Sequence, residues 1–166
     1  MLKKFNFFKK SSQQDSIDET VQSAYKICKK IARIKLSHLN IFDYKYNTKE
    51  AIEELGLDDE LINQLVEDYV IQIIKATLQF DKYIQELKAS KSELDFTEFR
   101  DLAHKNLGVA RNLRIKDAEV LLNEMMLKDD LEYLEDCLQA LKACSVILKP
   151  ECAHKTLKLI EVKSSL

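Results

Sequence analysis

Among the three histidines of this 166-residue chain, His104 is the one set at helical spacing among two arginines and a glycine. Arg100 precedes it by four residues, Gly108 follows by four and Arg111 by seven. At about 100° of rotation per residue, Arg100, His104 and Arg111 fall within a band of about 40°, with Gly108 beside them one turn below. Phe96, Phe99, Leu102, Ala103, Leu107, Ala110 and Leu113 fall on the other side, so that side faces a core. His104 lies roughly 130° from the centre of this stripe, near solvent. An exposed imidazole offers a ring nitrogen that is nucleophilic at neutral pH. Cations beside it favour an anionic group carried on it, such as a phosphoryl group. Gly108 costs a helix interior on the order of 1 kcal/mol relative to Ala, at a position that needs no cap. Two readings explain it. Either something bulky must approach the helix surface at His104, or a second helix crosses so closely that only a small residue fits, with His104 a bystander.

No other residues compete strongly for chemistry. Cys28, Cys137, Cys144 and Cys152 form no CxxC pair and read as buried free thiols of a cytoplasmic protein. Cys152 and His154 stand two residues apart, but no second ligand pair lies nearby, so no metal site is expected. His38 and His154 have nothing around them that suggests chemistry. Met125, Met126, Tyr69, Tyr83 and Tyr133 take core or boundary positions. Lys26, Lys29, Lys30, Arg33 and Lys35 form a basic segment, read either as a solvated face or as a contact for an acidic partner or membrane surface.

The elements that position His104 follow from a shortage of backbone breakers. With 2 glycines and 1 proline, the chain lacks the residues for hairpins, Gly-rich phosphate loops or a nucleophile elbow. All-β, dinucleotide-binding and P-loop folds are excluded, and 46% hydrophobic with 33% charged residues excludes a disordered chain or a membrane-embedded one. The expected fold is all-α. Residues 1–14 read as a disordered basic leader without a signal-peptide pattern, whose Phe5, Phe7 and Phe8 allow weak contact with a membrane surface. Asp15 or Ser16 caps an accessory helix over 15–37, with Ile17, Val21, Ala24, Cys28 and Ile31 as its stripe. After an irregular connector, Asn47 or Thr48 caps a short helix that Gly56 closes. Asp58 and Asp59 open a rod of some thirty residues, about 45 Å long. Helices then follow over 96–113, 117–127 and 131–148, and Pro150 starts a last short one. Short loops between antiparallel helices make an up-and-down bundle.

Net charge is −2, which does not advertise nucleic acid, but the charge is uneven. Residues 1–37 hold nine Lys/Arg against three Asp/Glu, and residues 43–68 hold nine acids against Lys45 and Lys49.

Leu102-Ala103-His104-Lys105-Asn106-Leu107-Gly108 resembles the signature of histidine-containing phosphotransfer (HPt) domains, in which His, two variable residues, Lys and Gly follow one another. The surroundings are similar too: residues 56–61 and 65–69 resemble the run into the helix before the histidine, residues 95–102 its approach, and residues 110–113 and 118–124 the stretch after it. The likeness spans about residues 42–145. It implies a four-helix HPt-like bundle over 38–166 with the N-terminal helix added to it. It also implies a phosphocarrier without a nucleotide site or cofactor, with His104 as phospho-acceptor and Gly108 giving clearance. Such a protein exchanges a phosphoryl group with receiver-domain aspartates of a response regulator or hybrid histidine kinase, and the receiver supplies the Mg²⁺. The expected partners are therefore proteins of a cytoplasmic two-component phosphorelay, not nucleic acid, with no membrane span. One departure stands out: the family's lysine is replaced by Leu107. Arg100, Arg111 and Lys105 are then the candidates for orienting the phosphoryl group, and Leu107 is expected on an apolar docking rim. The alternative is a degenerate, non-catalytic helical adaptor that uses the same surface to bind a response regulator or another partner.

Overall fold

The computed structural model describes the backbone of residues 2–42 and 45–164, and the side chains of Gln14 and of residues 16–42 and 45–163. Every regular element among them is helical. The chain runs α1 (Leu2–Ile27), a π-helical stretch (Cys28–Lys35), a 3₁₀ turn (Ser37–Leu39), α2 (Lys49–Leu55), α3 (Asp59–Ala89), α4 (Thr97–Asn112), α5 (Lys116–Leu127), α6 (Leu131–Leu148) and α7 (Pro150–Ser164). No helix among the described residues is long and apolar enough to cross a membrane.

Local chemistry sets the boundaries. Asp58 caps α3, its carboxylate accepting the Leu61 N–H at 2.8 Å, and Asp59 and Glu60 sit in the favourable first turn. Gly56 closes α2 in the left-handed region at φ 67. Asp95 precedes α4 and accepts from both the N–H (3.0 Å) and the hydroxyl (2.6 Å) of Thr97, which holds its carboxyl below the usual range. At the far end of α4, Arg114 turns left-handed at φ 60 and the Ile115 N–H reaches back to the Ala110 carbonyl at 3.0 Å, so a Schellman-type stop is made without glycine. Asp130 caps α6 through the Tyr133 N–H at 3.0 Å.

The bundle closes because α3, the long rod, is apolar on more than one side. Ile62, Val66, Tyr69, Ile73, Phe80 and Ile84 are all buried along it. It packs against α4, α6 and α7, while α5 packs against both α4 and α6. Phe80 of α3 and Phe99 of α4 meet edge to face, ring centroids 5.2 Å apart. Phe99 is thereby fixed inward, and with it the rotation of α4 that decides where His104 points. α1 lies along α6 and touches α7, where the Thr20 hydroxyl stands 3.0 Å from His154 Nδ1.

The N-terminal elements differ from the sequence expectation. The helix expected to start at a cap on Asp15 or Ser16 already runs from Leu2, because residues 2–27 contain no glycine or proline to stop it. The Phe side chains of the expected leader, and that of Asp15, lie outside the described residues. Beyond Ile27 the helix widens into π geometry, closing with the Leu36 N–H on the Ile31 carbonyl at 2.8 Å. Ile31 and Leu36, five residues apart, are both buried against the bundle, a spacing that an α-helix would splay apart.

Candidate functional site

Helix α4 divides its residues sharply. Phe99, Ala103, Leu107 and Ala110 point into the core, and His104, Lys105, Gly108 and Arg111 are exposed. His104 is thus on the solvent side of the helix, where its imidazole can meet another molecule. Gly108, one turn further along, is equally open: a Cβ built there would meet nothing within 4 Å, and its backbone is ordinary helix. Among the described residues no helix crosses at that point. The close-crossing explanation of Gly108 is therefore wrong, and the bare patch beside the histidine is not needed by the fold.

The cations expected around His104 are placed less simply. Arg100 is half-buried and folds toward the start of α4, its guanidinium carbon 5.0 Å from the centre of the Phe96 ring. Helical side chains lean toward the N-terminus, and this one leans away from His104. Its Nε is buried without a hydrogen-bond partner among the described residues. Arg111 reaches across to α5, where its Nε donates to Glu119 Oε1 at 3.1 Å. Lys105 is exposed and makes no ion pair among the described residues. Leu107, expected on a docking rim, is only 4% exposed and belongs to the core. Its position falls on the inward stripe, and an apolar side chain there is drawn in by the same burial that fixes Phe99 and Ala103.

No family model, no curated protein and no solved structure matches this chain.

Two residues of α4 were not singled out from the sequence. Asn106 is buried at 1% exposure, with its amide donating to the Leu102 carbonyl at 2.9 Å and its Oδ1 without a partner among the described residues. Its place was legible, since at about 100° per residue it falls between Phe99 and Leu113 on the inward arc, but a polar residue type pointed outward. Asp101, three residues before His104, is exposed and sets a negative charge in the turn preceding the histidine.

The cysteines and remaining histidines stay apart from this surface. All four thiols are free. Burial pushes Cys28 and Cys137 up to about 12 and raises Cys144 and Cys152 as well, so the thiols hold their protons at neutral pH and are poor nucleophiles. His154 is engaged with Thr20, and His38 Nε2 stands 3.2 Å from the Tyr133 hydroxyl. Among the described residues no group of three or more His, Cys, Asp or Glu side chains is arranged to hold a metal ion. In the basic segment, Lys35 pairs with Asp136 of α6 at 3.5 Å and the other four residues are exposed.

Proposed function

We propose that this chain is a histidine phosphotransfer protein of a cytoplasmic two-component phosphorelay, with His104 as the phosphorylated residue. The observation that carries the reading is the pairing of an exposed His104 with a bare Gly108, in a helix where neither packing nor backbone geometry asks for glycine. A further support is the cyclic packing of α3, α4, α5 and α6, each against its neighbour and α6 back against α3, which suits an HPt-like four-helix bundle.

The chemistry is in-line transfer. A ring nitrogen of His104 attacks the phosphorus of a receiver aspartyl phosphate, an N–P bond forms as the acyl-phosphate P–O bond breaks, and the aspartate leaves as carboxylate. Donation to a second receiver reverses these steps. The Mg²⁺ belongs to the receiver, so this chain contributes the nucleophile, the clearance and local positive charge. Leu107 in place of the family's lysine removes one such charge. The nearby arginines are held cheaply enough to replace it. A partly exposed ion pair such as Arg111–Glu119, 55% and 32% exposed, is worth about 0–1 kcal/mol. The stacking of Arg100 on Phe96 is worth a similar ~0.5–1 kcal/mol. Lys105 is free to reach back on its flexible stem.

The second reading, a non-catalytic adaptor, is favoured by the fact that both arginines are engaged elsewhere and Leu107 is in the core. Incubation with phosphorylated receiver domains separates the two. Transfer predicts an acid-labile, base-stable phosphoprotein that disappears in His104→Gln. Label that survives in His104→Gln removes His104 from the role, and binding of a receiver without any label leaves the adaptor.

A further inference from the structure

A cavity of about 510 Å³ opens between the N-terminal segment and the bundle, and it shares no residue with the His104 surface. Its volume is that of a small-molecule site. Its apolar lining includes Ile115 at the head of α5, Ile147 and Leu148 of α6, and Phe42 of the connector. Its cations include Lys29 and Arg33 from the π-helical stretch and Lys45 from the connector. All three are exposed, and none of them is in an ion pair among the described residues. Of the other charged lining residues, Lys116 donates to Glu50 at 3.2 Å, and Asp117, whose carboxylate accepts the Phe42 N–H at 3.1 Å, adds one negative charge that the three cations outnumber.

Two backbone irregularities converge on the same space. The eight-residue π-helical stretch turns Cys28, Lys29 and Arg33 into the cavity, and such widened turns are rare and frequent at functional sites. Phe42 holds a φ of 76, a left-handed conformation unfavourable for an aromatic residue, pinned there by its bond to Asp117. The fold holds an unfavourable residue conformation and an unusual helix around a space where, among the described residues, three cations outside any ion pair face the single carboxylate of Asp117.

We propose that this cavity binds a small organic anion with an apolar body, its aromatic or aliphatic part against Ile115, Ile147 and Leu148 and its anionic head on Lys29, Arg33 and Lys45. Bound there, the ligand ties the π-helical stretch to α5 and α6. The probe is anilinonaphthalene sulfonate, titrated against the full chain by fluorescence and by thermal unfolding. The expected result is one saturable site per chain, a raised Tm, and affinity that weakens with salt. Arg33→Glu, an exposed change, weakens binding about tenfold or more, the loss of a charged contact. Lys30→Glu, on the same stretch but not lining the cavity, leaves affinity within about twofold. Decanoate competes for the site and inorganic phosphate, which lacks an apolar body, does not. Non-saturating binding, equal losses in Arg33→Glu and Lys30→Glu, or competition by phosphate as strong as by decanoate would each overturn the proposal.

Discussion

Gly56 and Gly108 are the same residue answering to different demands. Gly56 ends α2 with φ at 67, and its N–H closes on the Ile52 carbonyl at 2.9 Å. A side chain there has room, since nothing lies within 4 Å of a built Cβ, but the backbone angle penalises it. Gly108 has the same open space and an ordinary helical backbone, so nothing in the fold penalises a side chain. Arg114 completes the contrast: at φ 60 the chain accepts an arginine, paired with Glu54, where glycine would be easier. Glycine is thus spent where the helix does not need it and withheld where a turn would welcome it. The difference suits the proposed function, in which the surface at Gly108 is left bare for a docking partner.

The largest effect should come from filling that surface. Gly108→Trp places bulk beside His104 on the solvent side, and phosphoryl transfer from a receiver should fall about a hundredfold, the scale of a misplaced reacting pair. Its urea midpoint should stay at or above that of the wild type. Full-rate transfer in this variant would break the contrast between the two glycines, because the bare patch would then serve nothing.

Next comes a pH window that any stability comparison must respect. Cys28 and Cys137 are pushed from 9.0 up to about 12 by burial, so the folded chain keeps protons that the unfolded chain releases above pH 9. Unfolding then gains from rising pH, and the stability present below pH 9 is lost progressively toward about pH 12. Urea midpoints should be level near neutrality and fall over that window by an amount equivalent to about 2 kcal/mol or more. Cys137→Ala should flatten part of the slope. A midpoint that holds steady to pH 11 would show that these thiols are not protected as described. The glycine variants are best compared at neutral pH, where this larger effect is absent.

Much of this arrangement was legible in the residues. The period of threes and fours located α3 and the inward face of α4, and Asp58, Gly56 and Pro150 marked boundaries through backbone chemistry that operates locally. What escaped depends on tertiary context. The π-helical stretch looks like any amphipathic run, and the need to bury both Ile31 and Leu36 is visible only once the bundle is in place. Arg100 and Arg111 share an arc with His104, yet their ends go to Phe96 and Glu119, because long side chains choose partners that a helical wheel does not contain. Leu107 follows its helical angle into the core with Phe99 and Ala103, and closeness in sequence to His104 does not bring it to the surface.

Gly56→Ala should lower stability by about 1–2 kcal/mol, the cost of an L-residue in the left-handed region. Transfer to and from His104 should be unchanged, since the variant sits at the α2 stop and not on the exposed face of α4. Chemical denaturation and a phosphotransfer time course measure the two effects on the same preparation. A neutral result would mean that the stop between α2 and α3 rearranges freely and that φ 67 is not a constraint.

The smallest effect is the most discriminating, because its sign is opposite. Gly108→Ala adds one methyl where nothing lies within 4 Å and the backbone is already helical. It also removes conformational freedom from the unfolded chain, so it should stabilise by about 0.5–1 kcal/mol. The two Gly→Ala exchanges, made in one chain and measured under one condition, should therefore move the urea midpoint in opposite directions. A methyl obstructs a docking partner far less than an indole, so transfer in Gly108→Ala should fall well short of the loss in Gly108→Trp. If Gly108→Ala destabilised the chain, the fold itself would need glycine in α4, and clearance for a partner would lose its basis. A stabilised Gly108→Ala with impaired transfer would instead show stability given up for access to His104, which is the trade expected where a surface is kept bare for function.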